Sequence, residues 1–188
     1  MPLINRATLI KVHMLLAAFI FPVALMFLVT GGFYTWGIKG SYNSEVYPIA
    51  LETPLRAEQA ELQALVEREL ALRSVATPSG SAKIKKSGTS FQLEWTGSGR
   101  DVVLEPTADS LSAKLTIKET TWYRNLVQLH KAKGGQLFKF YAAGLAISLF
   151  TILLTGFIMA LQIPKYRNLA LMVSLAGVLT FFLLVALS

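Results

Sequence analysis

Three stretches of the chain contain no charged residue: Met14–Ile38, Phe140–Ile163 and Leu169–Leu187. A helix rises 1.5 Å per residue, so roughly 20 apolar residues cross a hydrocarbon core about 30 Å thick. Each stretch reaches that length. A buried helix of a soluble domain would be shorter and would carry a polar stripe. The expected class is therefore membrane α-helical, with three transmembrane helices. Composition agrees: 53% of residues are hydrophobic and only 15% are charged. The first stretch outruns a signal-peptide core of about 7–15 residues. The segment Trp36-Gly37-Ile38-Lys39-Gly40-Ser41 after it offers no small-x-small cleavage site, so an uncleaved anchor is expected.

Charge divides the remainder. All eleven acidic residues and thirteen of the eighteen basic ones fall within residues 39–137, between the first and second stretches, which leaves that insert near +2. Mixed charge of this kind suits a solvated globular domain. The resulting division is an N-terminus over 1–12, a first span over 13–38, a domain over 39–137, a second span over 138–162, a loop over 163–168 and a third span over 169–188. The net charge of +7 comes largely from the membrane flanks, Arg6, Lys11, Lys139, Lys165 and Arg167. Nucleic acid is not the expected partner, because the basic residues are dispersed among acids. Lys83, Lys85 and Lys86 form the one tight basic cluster, which a solvated strand edge explains. The absence of cysteine removes disulfides, thiolate metal sites and thiol catalysis.

Short basic loops stay in the cytoplasm. The N-terminus with Arg6 and Lys11, and the link Gln162–Asn168 with Lys165 and Arg167, are expected on that side. The 39–137 domain and the C-terminus then lie outside it. Lys131, Lys133 and Lys139 crowd the outer end of the second span, but a domain of about 100 residues translocates largely regardless of charge. Tyr34, Trp36, Tyr42, Tyr141 and Tyr166 mark the interfaces, Pro22 is placed to kink the first span, and Gly31, Gly32, Gly144, Gly156 and Gly177 suit close helix packing.

Within the insert, Pro48 and Pro54 bracket what reads as an extended linker. A helix is expected from Pro54 to about Ser74 with Thr53 as its cap, and Pro78-Ser79-Gly80 breaks it. Strands are expected at Ala82–Lys86, Ser90–Thr96, Arg100–Pro106 and Leu111–Lys118, separated by turn-rich residues. Alternation is clearest in the last, where Leu111, Ala113, Leu115 and Ile117 share one face. A second helix with Trp122, Leu126, Val127 and Leu129 leads towards the second span. One helix on a small antiparallel sheet is the simplest α+β solution.

The chain has two histidines, each preceding a span, and each of those spans holds a Thr-Gly pair. Leu9-Ile10-Lys11-Val12-His13 enters a span that ends Leu28-Val29-Thr30-Gly31-Gly32. Leu129-His130 and Lys133-Gly134-Gly135 precede one containing Leu153-Leu154-Thr155-Gly156-Phe157. In layout the chain resembles the PepSY-associated transmembrane family of bacterial inner-membrane proteins. The resemblance implies a PepSY-like periplasmic domain. Larger members are similar to haem-containing ferric-siderophore reductases of iron uptake, in which membrane histidines ligate haem b. Only His13 and His130 match that pattern, so they are the candidate cofactor-binding residues.

On the expected topology His13 and His130 lie near opposite faces of the membrane and cannot hold one haem within a subunit. A haem would sit between subunits. Met14 diverges from His13 by about 100° on the helix, and Met26 and Met159 stand far along their helices. No phosphate loop, metal cluster or catalytic constellation is present, and no ionisable group lies within a span.

Three functions remain open. One is a non-enzymatic accessory or regulatory subunit in the lipid bilayer, with other membrane subunits or its own copies as partners and a periplasmic domain that binds a partner. The second is a haem-b electron carrier, a membrane oxidoreductase. The third is a regulator of a periplasmic protease. Trp95, Trp122 and Arg124 are candidates for a binding face and are equally well explained by core packing and an interface belt.

Overall fold

The computed structural model describes residues 5–88 and 90–188. Its elements are α1 (Arg6–Thr35), β1 (Tyr42–Ala50), α2 (Gln59–Leu72), β2 (Ala82–Ser87), β3 (Ser90–Thr96), β4 (Arg100–Pro106), β5 (Ser112–Thr120), α3 (Trp122–His130), α4 (Gln136–Leu161) and α5 (Pro164–Leu187). They form two units, one combining the chain up to Ala24 with Ala143–Ser188, the other Leu25–Ala142.

Three helices, α1, α4 and α5, are long and apolar enough to cross a membrane, with mean hydropathies of 2.5, 2.3 and 2.6. This is a multi-pass membrane protein. The helix α1 runs on through Pro22 and ends at Thr35, earlier than the uncharged run does. Gly37 stops it. With φ at +80° it takes the left-handed position, Gly37 N donates to Tyr34 O and Ile38 N donates to Phe33 O. That pairing is a Schellman cap, in which glycine avoids the Cβ penalty. At the far end of α4 the expected six-residue loop shrinks to Gln162-Ile163, because Pro164 opens α5 with its φ already helical. Lys165 and Arg167 therefore stand on the first turns of α5. No residue of α5 is buried.

The Leu25–Ala142 unit holds a five-stranded antiparallel sheet in the order β1-β5-β4-β3-β2. Register builds one row of side chains across all five strands: Tyr47 beside Leu115, Leu115 beside Leu104, Leu104 beside Leu93, and Leu93 beside Ile84. A parallel row joins Ile117, Val102 and Trp95. The helix α2 covers these rows with Leu62, Val66 and Leu70, four residues apart and all fully buried. Its start differs from expectation. Glu58, not Thr53, holds the extended N-cap position, and Pro54 lies outside the helix. The strand β1 replaces the expected linker. Pro48 fits there because β1 is an edge strand, which needs donors on only one side.

Candidate functional site

Each histidine is tied to a Thr-Gly pair on a different helix, and the arrangement is reciprocal. In the first unit His13 Nδ1 of α1 lies 3.0 Å from Thr155 Oγ1 of α4. In the second, His130 Nδ1 at the end of α3 lies 2.8 Å from Thr30 Oγ1 of α1. The glycine that follows each threonine faces the ring, closely at Gly31 and at ordinary contact distance at Gly156. A Cβ at Gly31 would stand 3.1 Å from His130 Cε1, and one at Gly156 would stand 3.5 Å from His13 Cε1. Close helix approach needs small residues of this sort. Leu145 and Thr155 are the only buried residues of α4, and the second of them is the clasp threonine.

The threonines determine which imidazole nitrogen carries hydrogen. Thr30 Oγ1 lies 2.7 Å from the Met26 carbonyl oxygen, and Thr155 Oγ1 lies 2.8 Å from that of Thr151. A hydroxyl has one hydrogen, which the preceding turn's carbonyl takes in each case. The histidine must then donate through Nδ1–H, an assignment that rests on this hydrogen-bond count. Nε2 keeps its lone pair. Nitrogen-15 chemical shifts of both imidazoles should show the Nδ1–H tautomer at neutral pH.

His130 is held on further sides. Its ring stacks on Phe27, with centroids 4.6 Å apart and planes 29° apart. Met26 Sδ lies 4.0 Å from the same Thr30 hydroxyl. Thr30 and Met26 share a face at i and i+4, which brings the thioether to the threonine side of this clasp. A cavity of about 450 Å³ opens beside the ring, lined by Gly31, Tyr34, Val127 and Lys131 among others. Lys39 and Lys131 flank the Tyr34 ring, 5.2 and 5.6 Å from its centre.

A polar network ties α3 to the sheet. Asp101, at the start of β4, accepts from Tyr42 OH at 2.8 Å, from Gln128 Nε2 at 3.1 Å and from Gly97 N at 3.2 Å. The Tyr42 hydroxyl itself accepts from Arg124 Nη2 at 2.8 Å and from Gln128 Nε2 at 2.9 Å. Lys133 Nζ lies 3.5 Å from Asp101. Gln128 is fully buried; its amide nitrogen finds these acceptors, while its Oε1 is left without a hydrogen-bond partner. From this network α3 runs six residues, Arg124 to His130, to the clasp on α1. Of Trp95, Trp122 and Arg124, weighed between a binding face and core packing, only Trp122 is free, at 78% exposure. Trp95 is buried in the core with its indole N–H on the Gly80 carbonyl, and Arg124 stacks on Tyr42.

Burial pushes the Tyr42 hydroxyl above the ordinary tyrosine value, with Arg124 opposing and Asp101 reinforcing the rise. A raised folded pKa means the protonated hydroxyl contributes fully below about pH 10. That contribution is lost as pH climbs through the folded value. Alkaline unfolding followed by Trp95 fluorescence should show this loss. Tyr42→Phe should remove it while lowering stability at neutral pH by about 1 kcal/mol.

Among the described residues, no three His, Asp or Glu side chains converge as a metal site. His13 and His130 belong to separate clasps. On α1 alone, His13 and Thr30 stand seventeen residues apart, about 25 Å of helix. Comparison with family models, curated proteins and solved structures finds no match to this chain.

Proposed function

We propose that this is a PepSY-type protein of the bacterial inner membrane that acts as a non-enzymatic accessory or regulatory subunit. Its N-terminus is cytoplasmic and its sheet domain is periplasmic, following the distribution of basic flanks. The observation that carries this reading is the pair of reciprocal His–Thr–Gly clasps. They give both histidines a structural task, holding helix to helix. Beyond its basic first turns α5 is charge-free from Leu169 to Leu187 and none of its residues is buried, so it supplies a surface for a neighbouring subunit. The periplasmic domain engages a partner, and the state of its sheet reaches α1 through Asp101, Gln128, α3 and His130.

Two results test this. Extraction of membranes into polymer nanodiscs should release the chain in a complex with another subunit or with its own copies. A single uncomplexed chain would oppose the proposal. His130→Ala should also lower the stability of the detergent-solubilised protein by about 0.6–1.7 kcal/mol, the range of interhelical hydrogen bonds in membranes. No change in thermal midpoint would remove the clasp's role.

One observation favours a second reading, a haem-b electron carrier. A ring held through Nδ1–H leaves Nε2 as the ligating nitrogen, the arrangement in which metal-ligating histidines donate their other N–H to a protein oxygen. The residues fit this only in part. Each clasp offers one imidazole, so a haem with two histidine ligands requires a second chain. When bound, such a group would supply one-electron chemistry. Thr30 and Thr155 would orient the ligating rings.

A further inference from the structure

The lysine cluster noted in the sequence does not remain a plain strand edge. On β2, Lys83 and Lys85 are two residues apart and so project on one face. That face lines a cavity of about 350 Å³ together with Ser81 and Glu94, and with Lys133 and Lys139 from the far side of the chain. Four lysines from three segments converge there around one carboxylate.

The backbone fixes this arrangement. After α3, Ala132 takes a left-handed φ of 55°, Ala132 N donates to Leu129 O and Lys133 N donates to Gln128 O. This Schellman turn folds the chain back towards the sheet. Ser79 Oγ, donating to the Lys133 carbonyl at 3.3 Å, holds it there. Charge within the groove is unbalanced. Lys85 is neutralised by Glu94 at 2.6 Å, and Lys133 lies 3.5 Å from Asp101. Among the described residues, Lys83 and Lys139 have no carboxylate within 4 Å.

We infer that this groove binds the phosphate headgroup of an anionic phospholipid. The position of Lys139 decides for a lipid over a soluble anion. It stands on the first turn of α4, immediately before Phe140, where the charge-free run begins. A phosphate reaching Lys139 thus lies at the depth where headgroups meet the hydrocarbon. Lys83 holds it from the sheet, and Ser81 lines the same wall. At about 30 Å³ per water the cavity has room for a phosphodiester and part of its hydration. Bound there, the lipid would brace the sheet domain against the membrane surface beside the α3–α4 turn.

The test uses the full chain in detergent, titrated with phosphatidylglycerol, phosphatidylcholine or inorganic phosphate and read by native mass spectrometry. Phosphatidylglycerol should bind at least tenfold more tightly than phosphatidylcholine. Lys83→Gln combined with Lys139→Gln should weaken phosphatidylglycerol about 30-fold, as expected for two lysines near the surface. The charge-matched pair Lys86→Gln with Lys118→Gln, outside the groove, should stay within about threefold of wild type. Equal loss in both double variants would reduce the effect to net charge and overturn the site. Equal binding of both lipids would overturn the headgroup, and inorganic phosphate binding as tightly as the lipid would overturn the lipid source. If the first pair fails to fold, Lys139→Glu alone should give the same loss.

Discussion

Asp101→Ala is expected to destabilise the sheet domain by about 3–5 kcal/mol, the range seen when one partner of a buried charge network is removed. Its two oxygens serve three donors: the Tyr42 hydroxyl, the Gln128 amide and the Gly97 backbone N–H. Gln128 is fully buried and cannot turn to water. An unmade buried donor costs about 1–3 kcal/mol, so losing several acceptor contacts together reaches the stated range. Lys133 adds little, since its side chain is 27% exposed and its separation from Asp101 is 3.5 Å. Asp101→Asn keeps the shape and one acceptor and should cost less than half as much. Urea unfolding followed by Trp95 fluorescence measures both. Near-equal midpoints for wild type and Asp101→Ala would mean that α3 is not held by this network.

The second large effect falls on the His130 clasp. Gly31→Leu should cost about 1–3 kcal/mol, as overpacking of a close contact does. A Cβ at that position already lies 3.1 Å from His130 Cε1, so a branched chain beyond it must displace the ring and break the bond to Thr30. Gly32 offers an internal control, because no atom lies within 4 Å of a Cβ there. Gly32→Ala should be neutral or stabilising, since alanine restricts the unfolded chain and favours helix. Thermal midpoints in detergent separate the two. Equal losses at Gly31 and Gly32 would indicate general helix sensitivity, not a clasp.

The spans were readable because a membrane imposes a length of roughly 20 uncharged residues, a constraint local to each segment. The strands β2 to β5 were readable for a similar reason. Each alternates, and the apolar set of β3, β4 and β5 ends up on the α2 side of the sheet. The strand β1 was not. Of its nine residues only Ile49 is buried, Pro48 interrupts it, and an edge strand need not alternate. The start of α2 was misplaced because Thr53-Pro54 has the chemistry of a helix start, whereas the buried positions begin only at Leu62.

The candidate site was half readable. His13, His130 and the two Thr-Gly pairs stand out in the sequence, but which histidine meets which threonine depends on pairings across 142 and 100 residues of chain. The network of Tyr42, Asp101, Arg124 and Gln128 left a fainter trace. Arg124 and Gln128 are one helical turn apart, a polar pair beside Val127 on the buried side of α3. Nothing local connects them to an aspartate on β4.

Whether the histidines serve as clasps or as cofactor ligands can be read from one visible absorption spectrum. Full-length protein, expressed in haem-replete cells and gently solubilised, would be recorded oxidised and dithionite-reduced. The expected trace has no Soret band, because each clasp offers a single imidazole and no second histidine stands beside it in the chain. A Soret band with sharpened α-bands on reduction, lost in His13→Ala or His130→Ala, would contradict the accessory-subunit account and establish the electron carrier in its place.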